Sequence, residues 1–242
     1  MPSGNHMTQP TGGSACDAGS KPLALGGPEM DAACKAFLGD PACGISIVTG
    51  DGQIEFCNEQ SAKIYLGPDA VPAQVMGKPM ASNFPEEWVR ERISILGSLK
   101  ESGASTMIRT IWRGRQLIAW VTRLSPGSMT GASPRYLVTT RVVPTQNLDQ
   151  VLQSQSASLV ESRVARLGPL DVLTERELEV LALTGQGLSA KETGQFLGLA
   201  EKTIENHRAA ISRKLKAHGV RSLVEYAQRA GLSLGDASRR RV

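Results

Sequence analysis

The sequence predicts an α+β chain in which a five-stranded antiparallel sheet with helices is followed by a linker helix and an all-α, four-helix domain. Three observations carry this expectation. Runs that alternate apolar and polar residues are confined to residues 44–143. From residue 173 the apolar spacing changes to threes and fours, the period of a helix. Charge divides at nearly the same place: residues 166–242 hold 13 Lys/Arg against 9 Asp/Glu, whereas residues 1–165 hold 14 of each. The whole net charge of +4 therefore lies in the C-terminal third, the end a polyanion would meet first.

The elements follow in order. Residues 1–28, rich in Gly, Ser, Pro and Thr and without periodicity, read as a flexible tail, and residues 30–38 as a short helix. Two strand-like runs flank Gly50-Asp51-Gly52, a hairpin signature. A helix is expected over about 86–100, with an apolar stripe of Trp88, Val89, Ile93, Ile95, Leu96 and Leu99. Pro85 suits its first turn, and Glu86 and Glu87 favour its N-terminus. Three further strands are expected at Ser105–Trp112, 116–124 and 135–143, the first two joined by a tight turn at Arg113-Gly114-Arg115.

This element order, with the string Gly52-Gln-Ile-Glu-Phe-Cys-Asn58-Glu-Gln-Ser-Ala62, resembles a PAS domain, in which a strand ends at an asparagine that opens a helix. The resemblance implies a sensor and dimerisation module, assigned here to residues 29–145. Residues 146–168 read as a linker helix, since Leu148, Val151, Leu152 and Leu159 share one helical face. Pairing with a second copy and packing on its own domain are both open for it.

The C-terminal third, 169–235, is the most informative part. Thr174-Glu-Arg-Glu177, Ser189-Ala-Lys-Glu192 and Ser222-Leu-Val-Glu225 have the form of capping boxes opening three helices. Another helix is expected from about Glu201 to Lys216, with Ile204, Ile211 and Leu215 pointing inward. Its opposite face carries Lys202, Asn206, Ala209, Arg213 and Lys216, with Glu205 beside them. A helix of this kind fits the DNA major groove, where Asn pairs with adenine, Glu accepts from cytosine and Ala touches a thymine methyl. Lys202, Arg213 and Lys216 suit phosphates, as do Lys191, Thr203 and His207.

These residues resemble the LuxR/FixJ-type helix-turn-helix. The match runs through Leu173–Leu181, Gly187–Glu192 and Leu197–Arg208 to Leu215, with the helix-turn-helix proper at about Ala190–Ala209. The resemblance implies a four-helix domain that binds DNA as a dimer, with Glu205, Asn206 and Ala209 facing bases and the fourth helix able to make a dimer contact. Two residues depart from the pattern: Ala200 stands where a capping Ser is usual, and Thr193 replaces an aliphatic residue. Residues 236–242 read as a basic C-terminal tail.

The expected function is a sequence-specific, DNA-binding transcriptional regulator controlled by a PAS-like input. Its expected partners are double-stranded DNA, a second copy of the chain, RNA polymerase and an unidentified small molecule. The alternative is a protein-interaction adaptor working through the PAS-like domain. No apolar run approaches the roughly 20 residues of a membrane helix, so a cytoplasmic protein is expected. No cofactor or metal is expected: His6, His207 and His218 lie outside the PAS-like region, which removes a histidine-ligated haem, and Cys16, Cys34, Cys43 and Cys57 form no C-x-x-C pair. No nucleophile–base pair or phosphate loop is visible, so no enzyme is expected. Trp112 and Trp120 are expected to fill a core rather than line a pocket.

Overall fold

The computed structural model describes residues 27–99, 105–124, 133–144 and 158–242. All but the last two residues of the expected N-terminal tail lie outside them, and those two begin helix α1 (Gly27–Leu38), which buries none of its side chains. No helix among the described residues is long and apolar enough to cross a membrane.

Gly44–Thr49 (β1) and Ile54–Cys57 (β2) pair antiparallel around the expected hairpin turn, where Gly52 takes a φ of +91° that a side chain disfavours. Ser105–Trp112 (β3), Arg115–Arg123 (β4) and Arg135–Val142 (β5) extend them in the order β2-β1-β5-β4-β3, antiparallel throughout. Helices α2 (Glu59–Leu66) and α3 (Glu86–Ser98) fall between β2 and β3. This is the PAS-like arrangement. Asn58 fixes its first corner: Oδ1 accepts from the N–H groups of Ser61 and Ile45 at 2.8 and 2.9 Å, while Nδ2 donates to the carbonyls of Leu38 and Cys43.

The sheet has six strands, not five. Ser158–Glu161 (β6) adds in parallel to the outer edge of β3, with Leu159 opposite Met107 and Glu161 opposite Arg109. This overturns the linker helix over 158–168; its earlier part, through residue 157, lies outside the described residues. The reason is tertiary, because the edge of β3 presents unpaired backbone groups that a following extended segment satisfies. Val164–Ala165 (β7) then pairs in parallel with Arg240–Arg241 (β8). The expected basic tail is thus docked, and within it Asp236 and Ala237 are buried.

Alternation along β3 sends its side chains into two cores. Ile108 and Trp112 join Ala119, Val121, Trp88 and Tyr136 on the side of α2 and α3. Ile111 instead packs with Leu167, Leu170, Leu178 and other residues of the C-terminal helices. Trp112 is fully buried and donates its indole N–H to the Tyr65 carbonyl at 2.8 Å, while Trp120 packs beside Met107, Ile118 and Val143.

Arg109, also on β3, secures the junction. Its Nε donates to Gln116 at 2.6 Å, Nη1 to Glu161 at 2.8 Å and Asp236 at 3.0 Å, and Nη2 to Asp236 at 2.8 Å and to the Gly231 carbonyl. A guanidinium has five N–H donors, and here every one has an acceptor. Arg239 adds a bond to Asp236 at 2.8 Å and one to Glu161.

Candidate nucleic-acid interface

Four helices build the C-terminal domain: α4 (Glu175–Gly185), α5 (Ala190–Leu197), α6 (Glu201–Leu215) and α7 (Gly219–Ala230). Two of the expected capping boxes form. Thr174 and Glu177 exchange side-chain-to-backbone bonds of 3.2 and 2.7 Å at the start of α4, and Ser189 and Glu192 do the same at 3.2 and 2.8 Å for α5. The third does not form. Helix α7 begins three residues earlier, at Gly219, so Ser222 lies within it and donates to the His218 carbonyl at 3.0 Å. A box forms instead at Ser233 and Asp236, beyond α7.

Helices α5 and α6 meet at a tight turn. Gly198 closes α5 in the left-handed region, with φ of 67°. Gly194 lets the turn fold back, since a Cβ there would lie 2.6 Å from the Leu199 carbonyl oxygen. Thr193 is fully buried, yet its hydroxyl donates to the Ser189 carbonyl at 2.7 Å, which explains how a polar residue occupies an aliphatic position. Ala200 has the extended backbone of a cap, φ −66° and ψ 144°, but supplies no side-chain bond.

Buried Ile204, Ile211 and Leu215 fix the rotation of α6. Two cations tie it to α4 and the turn that follows α4. Arg208 donates to Thr184 Oγ1 at 3.1 Å and the Leu188 carbonyl at 2.7 Å, and Lys214 pairs with Glu177 at 2.6 Å. Burial pushes the Glu177 carboxyl up, but Lys214 and the Thr174 cap outweigh it and hold it below its usual range. Neither Arg208 nor Lys214 was singled out from the sequence. Their only signal was position, one residue before Ala209 and one after Arg213.

Lys202, Glu205, Asn206, Ala209, Arg213 and Lys216 are all exposed, and Lys191 is exposed on α5. Thr203 and His207 are half-buried. Lys202 and Glu205 form an ion pair of 3.1 Å with side chains 80% and 51% exposed, which solvent leaves weak and easily exchanged. The surface is therefore one helix face offering a carboxylate, an amide, a methyl and three cations, on a helix anchored from behind.

A helix, a glycine-closed turn and a second helix with a polar outer face define a helix-turn-helix domain. Residues 171–227 match the family of bacterial regulatory proteins, luxR family, so the C-terminal domain is of the LuxR type. The response regulatory protein YgeK of Escherichia coli K12, itself described as uncharacterized, is 43% identical over 60 residues, 25% of this chain and 41% of that protein. The transcriptional regulatory protein TdiR of Thauera aromatica is 30% identical over 93 residues, 38% of this chain and 41% of that protein. The chain spans less than half the length of these curated relatives. Among solved structures, the Vibrio cholerae VqmA–ligand–DNA complex is similar over 84% of this chain and 90% of that one, with 16% identity and a TM-score of 0.41. The PAS domain of the HTR-like protein of Haloarcula marismortui covers 48% of this chain and 93% of that one, with 14% identity and a TM-score of 0.34. The fold assignment rests on strand order and packing, not on these superpositions.

Proposed function

We propose that this protein is a dimeric, sequence-specific DNA-binding transcriptional regulator with its PAS-like domain as the input. One observation carries the reading: α6 buries Ile204, Ile211 and Leu215 while exposing Glu205, Asn206 and Ala209 as a continuous outer face. In the major groove that face reads base edges. Lys191, Lys202, Arg213 and Lys216, with Thr203 and His207 at the flanks, hold phosphates and set the register. Two copies related by a two-fold axis read two half-sites about one helical turn apart. The regulatory relatives matched by the C-terminal domain support the assignment.

The test is selection of the full-length protein on random duplex DNA, followed by binding to the selected site across a salt series. A selected sequence with inverted symmetry, bound with a steep salt dependence, is the expected result. Absence of binding at low salt, by the full chain and by residues 166–242 alike, would remove the proposal.

A further inference from the structure

The hairpin of β3 and β4 turns through two residues, Arg113 and Gly114, with Trp112 paired opposite Arg115. Both turn residues take positive φ, 54° and 70°, as a type I′ turn requires. Asparagine followed by glycine is the sequence such a turn prefers, and an arginine in the left-handed region is strained. No contact of the Arg113 side chain offsets that strain. Among the described residues its guanidinium has neither a hydrogen bond nor a carboxylate at ion-pair distance, and it lies over Gly67, where a Cβ would stand 3.3 Å from Nη2. Arg115 is half-buried and donates Nη2 to the Ile64 carbonyl at 3.0 Å, again with no carboxylate partner among the described residues. Partial burial, and after it the repulsion of Arg113, push its guanidinium below the ordinary range.

Arg113 stands where two shallow grooves of about 560 Å³ each meet, sharing Gly67, Pro68 and Arg113 itself. Lys78 lines one groove, and Lys63 and Arg115 line the other. Against these four cations the linings hold one acid, the exposed Asp69. Lys63 is already paired with Glu59 at 2.5 Å, so the uncompensated charge is centred on the two arginines and on Lys78, which donates to the Gln74 carbonyl at 2.9 Å. Nδ2 of Asn83, beside Lys78 in the lining, is buried and has no acceptor. Between the cations the wall is apolar, with Leu66, Pro68 and Ala70, and the following Val71 is 49% exposed.

We propose that this joined groove docks an extended acidic segment of a partner protein, its carboxylates received by Arg113 and Arg115 and its apolar side chains set against Pro68 and Ala70. Clustered arginines recognise acidic motifs through charge-assisted hydrogen bonds. Duplex DNA fits less well, since a phosphate backbone answers the cations alone and leaves the apolar wall uncovered. No residue of the C-terminal helices lines the groove, so it is separate from the outer face of α6. An occupant also accounts for an arginine at a turn position that asparagine suits better, because backbone strain persists where a side chain is kept for another task.

The full-length protein is titrated at low ionic strength with a fluorescein-labelled dodecapeptide of glutamate carrying leucine at every third position. The same peptide with glutamine in place of glutamate is the neutral control. Fluorescence anisotropy is expected to show saturable, salt-sensitive binding of the acidic peptide and none of the control. Arg113→Asn is expected to raise the melting temperature, because it suits the turn, and yet to weaken peptide binding about fivefold. Adding Arg115→Gln should weaken it further. Loss of binding in a variant more stable than the native protein is not a loss of folding. Absence of acidic-peptide binding, equal binding of the control, binding undiminished in both variants, or a melting temperature lowered by Arg113→Asn overturns the proposal. So does an Arg113→Asn variant that binds the peptide normally but lowers the salt slope of duplex binding by about 1, which would assign the groove to DNA. The peptide readouts need no DNA. Their failure leaves the regulator reading standing, and a protein that binds the peptide but no duplex would keep this inference and sink that reading.

Discussion

Ala200 begins α6 with the backbone of a helix cap and without the oxygen that a cap provides. Serine at such a position accepts a bond from the first turn and stabilises by about 1 kcal/mol relative to alanine. Ala200→Ser is therefore expected to raise the unfolding free energy by about 1 kcal/mol in a denaturant titration, and an unchanged or lower midpoint would show that the turn already satisfies those amides. On the outer face the residues divide by role. Asn206→Ala is expected to cost about 1–3 kcal/mol on the preferred site and little on other sequences, whereas Lys202→Ala should weaken binding to every duplex and lower the salt slope by about 1. Normal binding by both variants would mean that another face meets DNA. The exposure of Lys202, Glu205, Asn206, Ala209, Arg213 and Lys216 was legible in the sequence because Ile204, Ile211 and Leu215 leave α6 only one rotation. The tethering of Arg208 and Lys214 was not, because it depends on acceptors at Leu188 and Glu177 that helical spacing does not report.

At the scale of elements, most local chemistry was readable, the exception being Ser222, which lies inside α7 instead of capping it. The capping boxes at Thr174 and Ser189, the hairpin at Gly52 and the Asn58 cap all formed, since each is a contact between near neighbours in sequence. Strand β6 was not readable. Its four residues, Ser158 to Glu161, are too few to show a period of their own, and their conformation is set by the edge of β3 some fifty positions away. The turn between α5 and α6 gives the sharpest element-level prediction. A Cβ on Gly194 would meet a backbone carbonyl, which has no rotamer with which to give way. Gly194→Ala, although alanine is the better helix former, should therefore lower the melting temperature and weaken DNA binding, while the far-UV circular dichroism spectrum stays close to native. A melting temperature equal to or above that of the native protein would show that the turn can open without loss.

Across the whole molecule from Phe37 onward, the sheet and the helical domain are joined by charges distant in sequence, and that explains why the C-terminal arginines looked like a solvated tail. Arg109 and Asp236 are separated by 127 residues, and Arg240 pairs with Glu87. Burial pushes the Asp236 carboxyl up, yet its bonds to Arg109 and the nearby Arg239 more than reverse this, so it titrates below its usual range. Arg109 shows the matching response: burial lowers it, and Asp236 and Glu161 raise it beyond its ordinary value. A carboxylate whose pKa is depressed by folding adds stability that is complete above its unfolded value, about 3.9, and is lost as pH falls toward the lower folded value. Lys214 and the Thr174 cap place Glu177 in the same class. The junction is therefore expected to weaken below about pH 4 and to be indifferent to pH between about 5 and 8. Asp236→Asn removes the charge and keeps the shape. It leaves Arg109 with Glu161 alone as its anionic partner, at a cost of about 3 kcal/mol, the lower end for breaking a buried pair. Thermal unfolding of the native protein and of the Asp236→Asn variant across the acid-to-neutral range separates the possibilities. The variant should melt lower at neutral pH and converge on the native protein in acid, since there the native carboxyl is protonated too. Two parallel curves would mean that Asp236 acts through packing rather than charge, and that the sheet and the helices are held together by Ile111, Leu167 and Leu170 without this ion pair.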